Sequence, residues 1–273
     1  MTGSPRPAGI LEKFRAAKAP EIAMLREREK RGALPSFFLG GRPAFAAALA
    51  AAAPLAVIAE YKRASPSQGD INLGATPLHT CQAYADAGAA ALSILTERVH
   101  FKGDPDFLTA CRPVGLPMLR KDFILDEVQI RETAATPASA FLLIARMLPD
   151  AGTLARFLVL GAAAGLEAVV EIFDEADLAM AREAGSRIIQ VNNRDLDTLA
   201  VDLGNAENLM AAAGGKQGDE VWIAASGVKG PEDAARMARA GYDAVLVGTS
   251  LMSSADPAAA VRALIEAARE AVA

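Results

Sequence analysis

The chain has 273 residues, 52% of them hydrophobic, with 28 Lys+Arg against 33 Asp+Glu and a net charge of -5. That length supports one large core burying roughly 75% of the unfolded surface, and the acidic balance excludes a generally nucleic-acid-binding surface while leaving room for a local cationic pocket. Two cysteines, Cys81 and Cys111, are too few for a disulfide scaffold and lack metal-ligand spacing, and no run reaches about 20 apolar residues, so the composition predicts a cytoplasmic protein with reduced thiols, no metal site and no membrane span.

Residues 1–54 stand apart from the pattern that follows. The N-terminus, MTGSPRPAGILEKF, carries no long apolar segment. The stretch ILEKFRAAKAPEIAMLREREKRG reads as a helical segment broken near Pro20, and PAFAAALAAA as a second helix. Together they predict an extension packed over one mouth of the domain. The mixed charges of LREREKRG predict a solvated helix face.

From residue 55 the sequence becomes rhythmic. Short apolar runs occur at 55–61 (LAVIAEY), 91–96 (ALSILT), 117–122 (PMLRKD), 141–147 (FLLIARM), 167–172 (EAVVEI), 188–193 (IIQVNN), 221–226 (VWIAAS) and 244–250 (AVLVGTS). Between them lie Ala- and Leu-rich helical stretches such as TPLHTCQAYADAG, DEADLAMAREAG and GPEDAARMARAG, which stop at Gly88, Gly185 and Gly241. Eight βα units without strict alternation imply a parallel sheet covered by helices. The simplest closure is a single α/β domain over 1–273, a (β/α)8 TIM barrel with an N-terminal helical extension over 1–54. An open doubly wound sheet is the competitor, but AEYKRASPS is no dinucleotide-binding loop.

In such a barrel, chemistry sits at the C-terminal strand ends. The polar residues fall there: Glu60 and Lys62, Thr96 and Glu97, Lys121 and Asp122, Glu171, then Asn192, Asn193 and Arg194. Glu60 and Lys62, two apart, share a strand face. Two lysines with Glu60 and Glu171 suit proton transfer; a ring of salt bridges closing the barrel is the alternative. Small residues at Ser226-Gly227 and Gly248-Thr249 let backbone N–H groups approach a phosphate, or merely permit tight turns. His79 and His100 show no ligand spacing. The loop RASPSQGD, residues 63–70, has the composition of a mobile lid and equally of a rigid turn.

The motifs AEYKRASPSQGDI, SILTERVHFKGD, LRKDFILDEVQI, VVEIFDEADL, VNNRDLDTLAVDL and ASGVKGPEDAARMARAGYDAVLVGTSLM stand in the order and spacing of the indole-3-glycerol phosphate synthases, which the chain resembles from about residue 10 to its end. The resemblance implies a carbon-carbon lyase of tryptophan biosynthesis, acting without a cofactor. It would convert 1-(o-carboxyphenylamino)-1-deoxyribulose 5-phosphate into indole-3-glycerol phosphate with loss of carbon dioxide and water. It implies Lys121 as general acid for ring closure, Lys62 as partner of the substrate carboxylate, and Glu60 and Glu171 as carboxylates that orient these lysines and handle protons. Asn192, Arg194 and Ser65 would bind substrate, Phe101 and Phe123 would wall the anthranilate ring, and Ser226, Gly227, Gly248 and Thr249 would hold the phosphate. The partner implied is a small phosphorylated molecule, with no nucleic acid and no membrane.

Two positions depart from the family pattern. Ala224-Ala225-Ser226-Gly227 stands where the family usually has a glutamate second, so a carboxylate is missing at Ala225. Gln190 stands where the family tends to have glycine, and its bulk calls for small neighbours such as Ala224. Ala225 keeps open a paralogue with another substrate or reduced activity. A catalytically silent scaffold subunit is the remaining alternative.

Overall fold

The computed structural model describes residues 9–195 and 199–273. Eight parallel strands, β1 (Ala56–Tyr61), β2 (Ala91–Leu95), β3 (Met118–Lys121), β4 (Ala140–Ile144), β5 (Glu167–Ile172), β6 (Ile188–Asn192), β7 (Val221–Ala225) and β8 (Ala244–Val247), follow one another around a closed barrel. The ring closes where β8 pairs with β1, Ala244 opposite Ala56. Helices alternate with the strands, as the rhythm of the sequence requires.

Both faces of the sheet are buried, which is why the apolar runs do not alternate. Ala56, Ile58, Leu119, Leu142, Val169 and Ile223 pack inside the barrel. Their strand neighbours Val57, Phe141, Leu143, Val170, Trp222 and Val245 pack outward against helices. Gln190 faces inward opposite Ile223. Ala224 has the other parity and belongs to the helix-facing layer, so it does not make room for Gln190. The small inward side chain on the neighbouring strand β7 is Ala225, and one strand further, on β8, it is Ala244. Two strands end three residues before their runs do, at Ile144 and Val247. Residues 145–147 form a 3-10 turn, and a short helix begins at Thr249.

Helix starts are fixed by aspartates. Asp126 forms a capping box with Gln129, and Asp150, Asp174 and Asp256 each accept a first-turn N–H. Gly88, Gly185 and Gly241 end their helices with φ of 98°, 81° and 86°.

The N-terminal extension holds both ends of the barrel. Helix α1 (Ile10–Lys30) runs unbroken through Pro20, against the expected break. A proline costs one backbone hydrogen bond, and here both halves of the helix are pinned by burial, Phe14 and Lys18 before it and Leu25 after. Most of LREREKRG is exposed, with Arg26 and Glu29 reaching Asp126 and Arg131 at the next structural layer. Helix α2 (Phe45–Ala51) lies at the opposite end, where the Glu167 carboxylate accepts the N–H groups of Phe45 and Ala46. The loop after β1 folds as a small antiparallel ribbon, Ala64–Ser65 against Gly69–Asp70. Among the described residues no helix is long and apolar enough to cross a membrane.

Candidate active site

The C-terminal mouth of the barrel opens into a cavity of ≈ 480 Å³, within the size range of sites for small molecules. Every residue to which the resemblance assigns a role lines it: Glu60, Lys62, Lys121 and Glu171, then Asn192, Arg194, Ser65, Phe101 and Phe123, and finally Ser226, Gly227, Gly248 and Thr249. Strand geometry does this work. Glu60 is the last inward position of β1, Lys62 follows just past the strand end, and the last inward positions of β3, β5 and β6 are Lys121, Glu171 and Asn192.

Two ammonium–carboxylate pairs face each other across the mouth. Lys62 Nζ lies 3.0 Å from Glu60 Oε1, and Lys121 Nζ lies 3.5 Å from Glu171 Oε2. Ser93 Oγ donates to Glu60 Oε2 at 3.0 Å. Burial pushes the Glu60 carboxyl up, but the charges of Lys62 and Lys121 and the hydrogen bonds from Lys62 and Ser93 outweigh it and hold the group below its ordinary range. That both lysines act on Glu60 reflects their convergence on one space. Glu171 is held from β6: Asn192 Nδ2 donates to Oε1 at 3.0 Å, and Gln190 Nε2 donates to Oε2. The Arg194 N–H donates to Asn192 Oδ1 at 3.0 Å, and the Arg194 guanidinium donates to Leu199 O at 2.9 Å.

The rim after β7 is a strained turn. Ser226 has φ 65° and Gly227 has φ 91°, so two successive residues adopt left-handed conformations. Asn193 fixes them. Its Nδ2 donates to Ala225 O at 3.1 Å and Ser226 O at 3.2 Å, while its Oδ1 accepts the Ala206 N–H at 2.9 Å. Asn193 was visible in the sequence as a polar strand end, without a sign of this task.

Other polar strand ends are structural. Glu97 is buried and accepts the N–H groups of Val99, His100 and Phe101, folding the loop that carries Phe101. Asp122 is buried with Lys18 at 2.8 Å, Arg120 at 3.2 Å and the Thr96 hydroxyl at 2.6 Å. His100 packs edge-on to Phe14, ring centroids 4.9 Å apart, and His79 is exposed on its helix.

The apolar wall is larger than Phe101 and Phe123 alone. Phe14 of α1 stacks on Phe123 at 4.2 Å, and Ile10 and Leu11 line the same cavity. Ile10 and Phe14 stand four apart on one helix face, the signal that could have placed them there. Lys229, beyond the Ser226-Gly227 turn, also lines the cavity. Residues 196–198 of the VNNRDLDTLAVDL motif lie outside the described residues.

The family model for indole-3-glycerol phosphate synthase matches residues 11–264. An indole-3-glycerol phosphate synthase of Deinococcus radiodurans is 46% identical over 214 residues, covering 78% of this chain and 79% of that one. Indole-3-glycerol phosphate synthase 2 of Streptomyces coelicolor is 40% identical over 262 residues, covering 94% and 99%. Among solved structures, a 3-hexulose-6-phosphate synthase superposes with a TM-score of 0.61 at 17% identity, covering 78% of this chain and 99% of that one, a likeness of fold.

Proposed function

The chain belongs to the indole-3-glycerol phosphate synthase family, decarboxylating lyases of tryptophan biosynthesis, and from that premise we propose how its barrel mouth divides the work. The substrate is 1-(o-carboxyphenylamino)-1-deoxyribulose 5-phosphate. Its aromatic ring lies against Phe101, Phe123 and Phe14, and its phosphate meets the turns at Ser226-Gly227 and Gly248-Thr249. Lys62 faces the carboxylate, and Asn192, Arg194 and Ser65 hold the sugar.

In ring closure the aromatic carbon bearing the carboxylate attacks the ketone carbon. Lys121 gives a proton to the carbonyl oxygen as it gains charge, and the new C–C bond is kept when carbon dioxide leaves. Dehydration then removes the hydroxyl so formed, as water, with a proton lost to a carboxylate. Glu60 beside Lys62 and Glu171 beside Lys121 are the groups in place to take and return protons. The observation that carries this proposal is the convergence of both lysine–carboxylate pairs on a cavity that also meets the strained turn after β7.

The same proposal takes residues 1–273 as one domain with 1–54 as its extension, supported by the burial of Phe14, Lys18, Phe45 and Leu49 against the barrel. It also places the enzyme in the cytoplasm. The free thiols of Cys81 and Cys111, with Sγ atoms 3.4 Å apart, suit a reducing compartment.

The test is the synthase reaction followed by indole fluorescence. Lys121→Ala is expected to lower turnover by about 10²–10⁴, the usual worth of a general acid. Turnover equal to that of the parent enzyme would remove Lys121 from the mechanism.

A further inference from the structure

Gln190 lies beneath the mouth on the inner face of β6, with no exposure to solvent. Its cross-strand partner on β5 is Glu171, and its Nε2 donates to Glu171 Oε2. The Oε1 of the same amide has no hydrogen-bond partner among the described residues. A buried amide oxygen left unpaired is destabilising, so packing alone would favour an apolar side chain here. Among the described residues, the one hydrogen bond its side chain makes is that to Glu171.

The surroundings of Glu171 sharpen the point. Asn192 takes Oε1 from the side, whereas Lys121 stands at 3.5 Å from Oε2, too far to fix the carboxylate by itself. On the far side of Gln190, β7 presents Ile223 as its direct partner and Ala225 one inward position higher, opposite Asn192. Neither side chain has a polar atom, and Ala225 stands where the family pattern leads one to expect a glutamate. The polar contact that β7 cannot supply comes from β6.

We propose that Gln190 is a positioning residue of the reaction: its buried amide fixes the plane of the Glu171 carboxylate so that Oε2 faces the Lys121 ammonium, the task left open by Ala225. The inference rests on the catalytic part proposed above for Glu171. Without the amide the carboxylate turns about its last bond, held by Asn192 at one oxygen only.

Four proteins test it: the parent, Gln190→Leu, Glu171→Gln and the double variant, each checked for folding by urea unfolding. Gln190→Leu is expected to lower kcat by about tenfold, the usual worth of a hydrogen bond to a charged group, with KM little changed because Gln190 does not line the cavity. In the Glu171→Gln background the same change is expected to cost nothing further, since no carboxylate remains to be held. Losses that multiply would show Gln190 acting as packing and overturn the proposal, as would full kcat in Gln190→Leu. Full activity in Glu171→Gln would instead overturn the part given to Glu171, and the proposal with it. Should Gln190→Leu not fold, Gln190→Met, unbranched and adaptable in cores, takes its place in the same cycle.

Discussion

Gly248 has a φ of -120°, so the left-handed conformations that favour glycine do not select it. Space does. A Cβ at this position would lie 2.4 Å from Glu60 Oε1 and 3.0 Å from Lys62 Nζ. The sequence shows a glycine at the end of the last strand and suggests a phosphate turn. It cannot show that side chains from β1 fill the space above it, because that depends on how β8 closes against β1. The spacing of Glu60 and Lys62 was legible, since period-two geometry holds in any strand. Gly248→Ala is therefore expected to displace the Glu60–Lys62 pair and to lower kcat by about tenfold or more, in addition to any rise in KM. Steady-state kinetics separate the two: a change in KM alone would mean that Gly248 serves only the phosphate.

At the scale of elements, α1 shows where sequence patterns mislead. Its helical character was legible, but Pro20 suggested a break because a local rule carries no information about tertiary anchors. Those anchors are Phe14 on Phe123 and, above all, Lys18, 1% exposed and paired with Asp122 and Glu21. Lys18 looks in the sequence like any other surface lysine of an amphipathic helix. Because Asp122 directly follows Lys121, the ion pair fastens the apolar wall of Ile10, Leu11 and Phe14 to the strand that carries the proposed acid. Lys18→Met should leave Asp122 with Arg120, the Thr96 hydroxyl and the Phe123 N–H but no lysine, and cost about 3 kcal/mol, the low end for a broken buried pair. KM should rise several-fold as the wall loosens. Urea unfolding and steady-state kinetics on one variant read both effects, and a rise in KM without loss of stability would mean that Lys18 is no anchor.

At the scale of the whole molecule, the barrel was legible because most βα units repeat the same punctuation, an apolar run, an aspartate or proline start and a glycine stop. Inner and outer parity was not, because runs buried on both faces carry no alternation, and nothing in the sequence marks Ala224 as a member of the helix-facing layer. Burying charges inside such a barrel makes its stability depend on pH in a direction that can be derived. Burial raises the Glu60 and Asp122 carboxyls, but the lysines and Arg120 beside them and the hydrogen bonds they accept outweigh it, and both groups are held below their ordinary values. A carboxylate depressed in the folded state contributes stability that is full above its unfolded value, near about 4, and is lost as pH falls through the lower folded value. Asp177 works against them: burial outweighs Arg146 and raises its value, so its contribution is full below about 4 and lost as pH rises through its folded value. Asp150, Glu207 and Glu220 are held low as well, so five depressed carboxylates stand against one raised among the described residues, and unfolding free energy should fall below about pH 4. In Lys18→Met the strongest cation acting on Asp122 is gone, its folded value climbs toward the unfolded one, and the acid fall becomes shallower. Urea unfolding of both proteins between about pH 3 and 7 checks this. Curves that stay parallel over that range would mean that Asp122 is not held by Lys18, and with it the anchoring of α1 would fall.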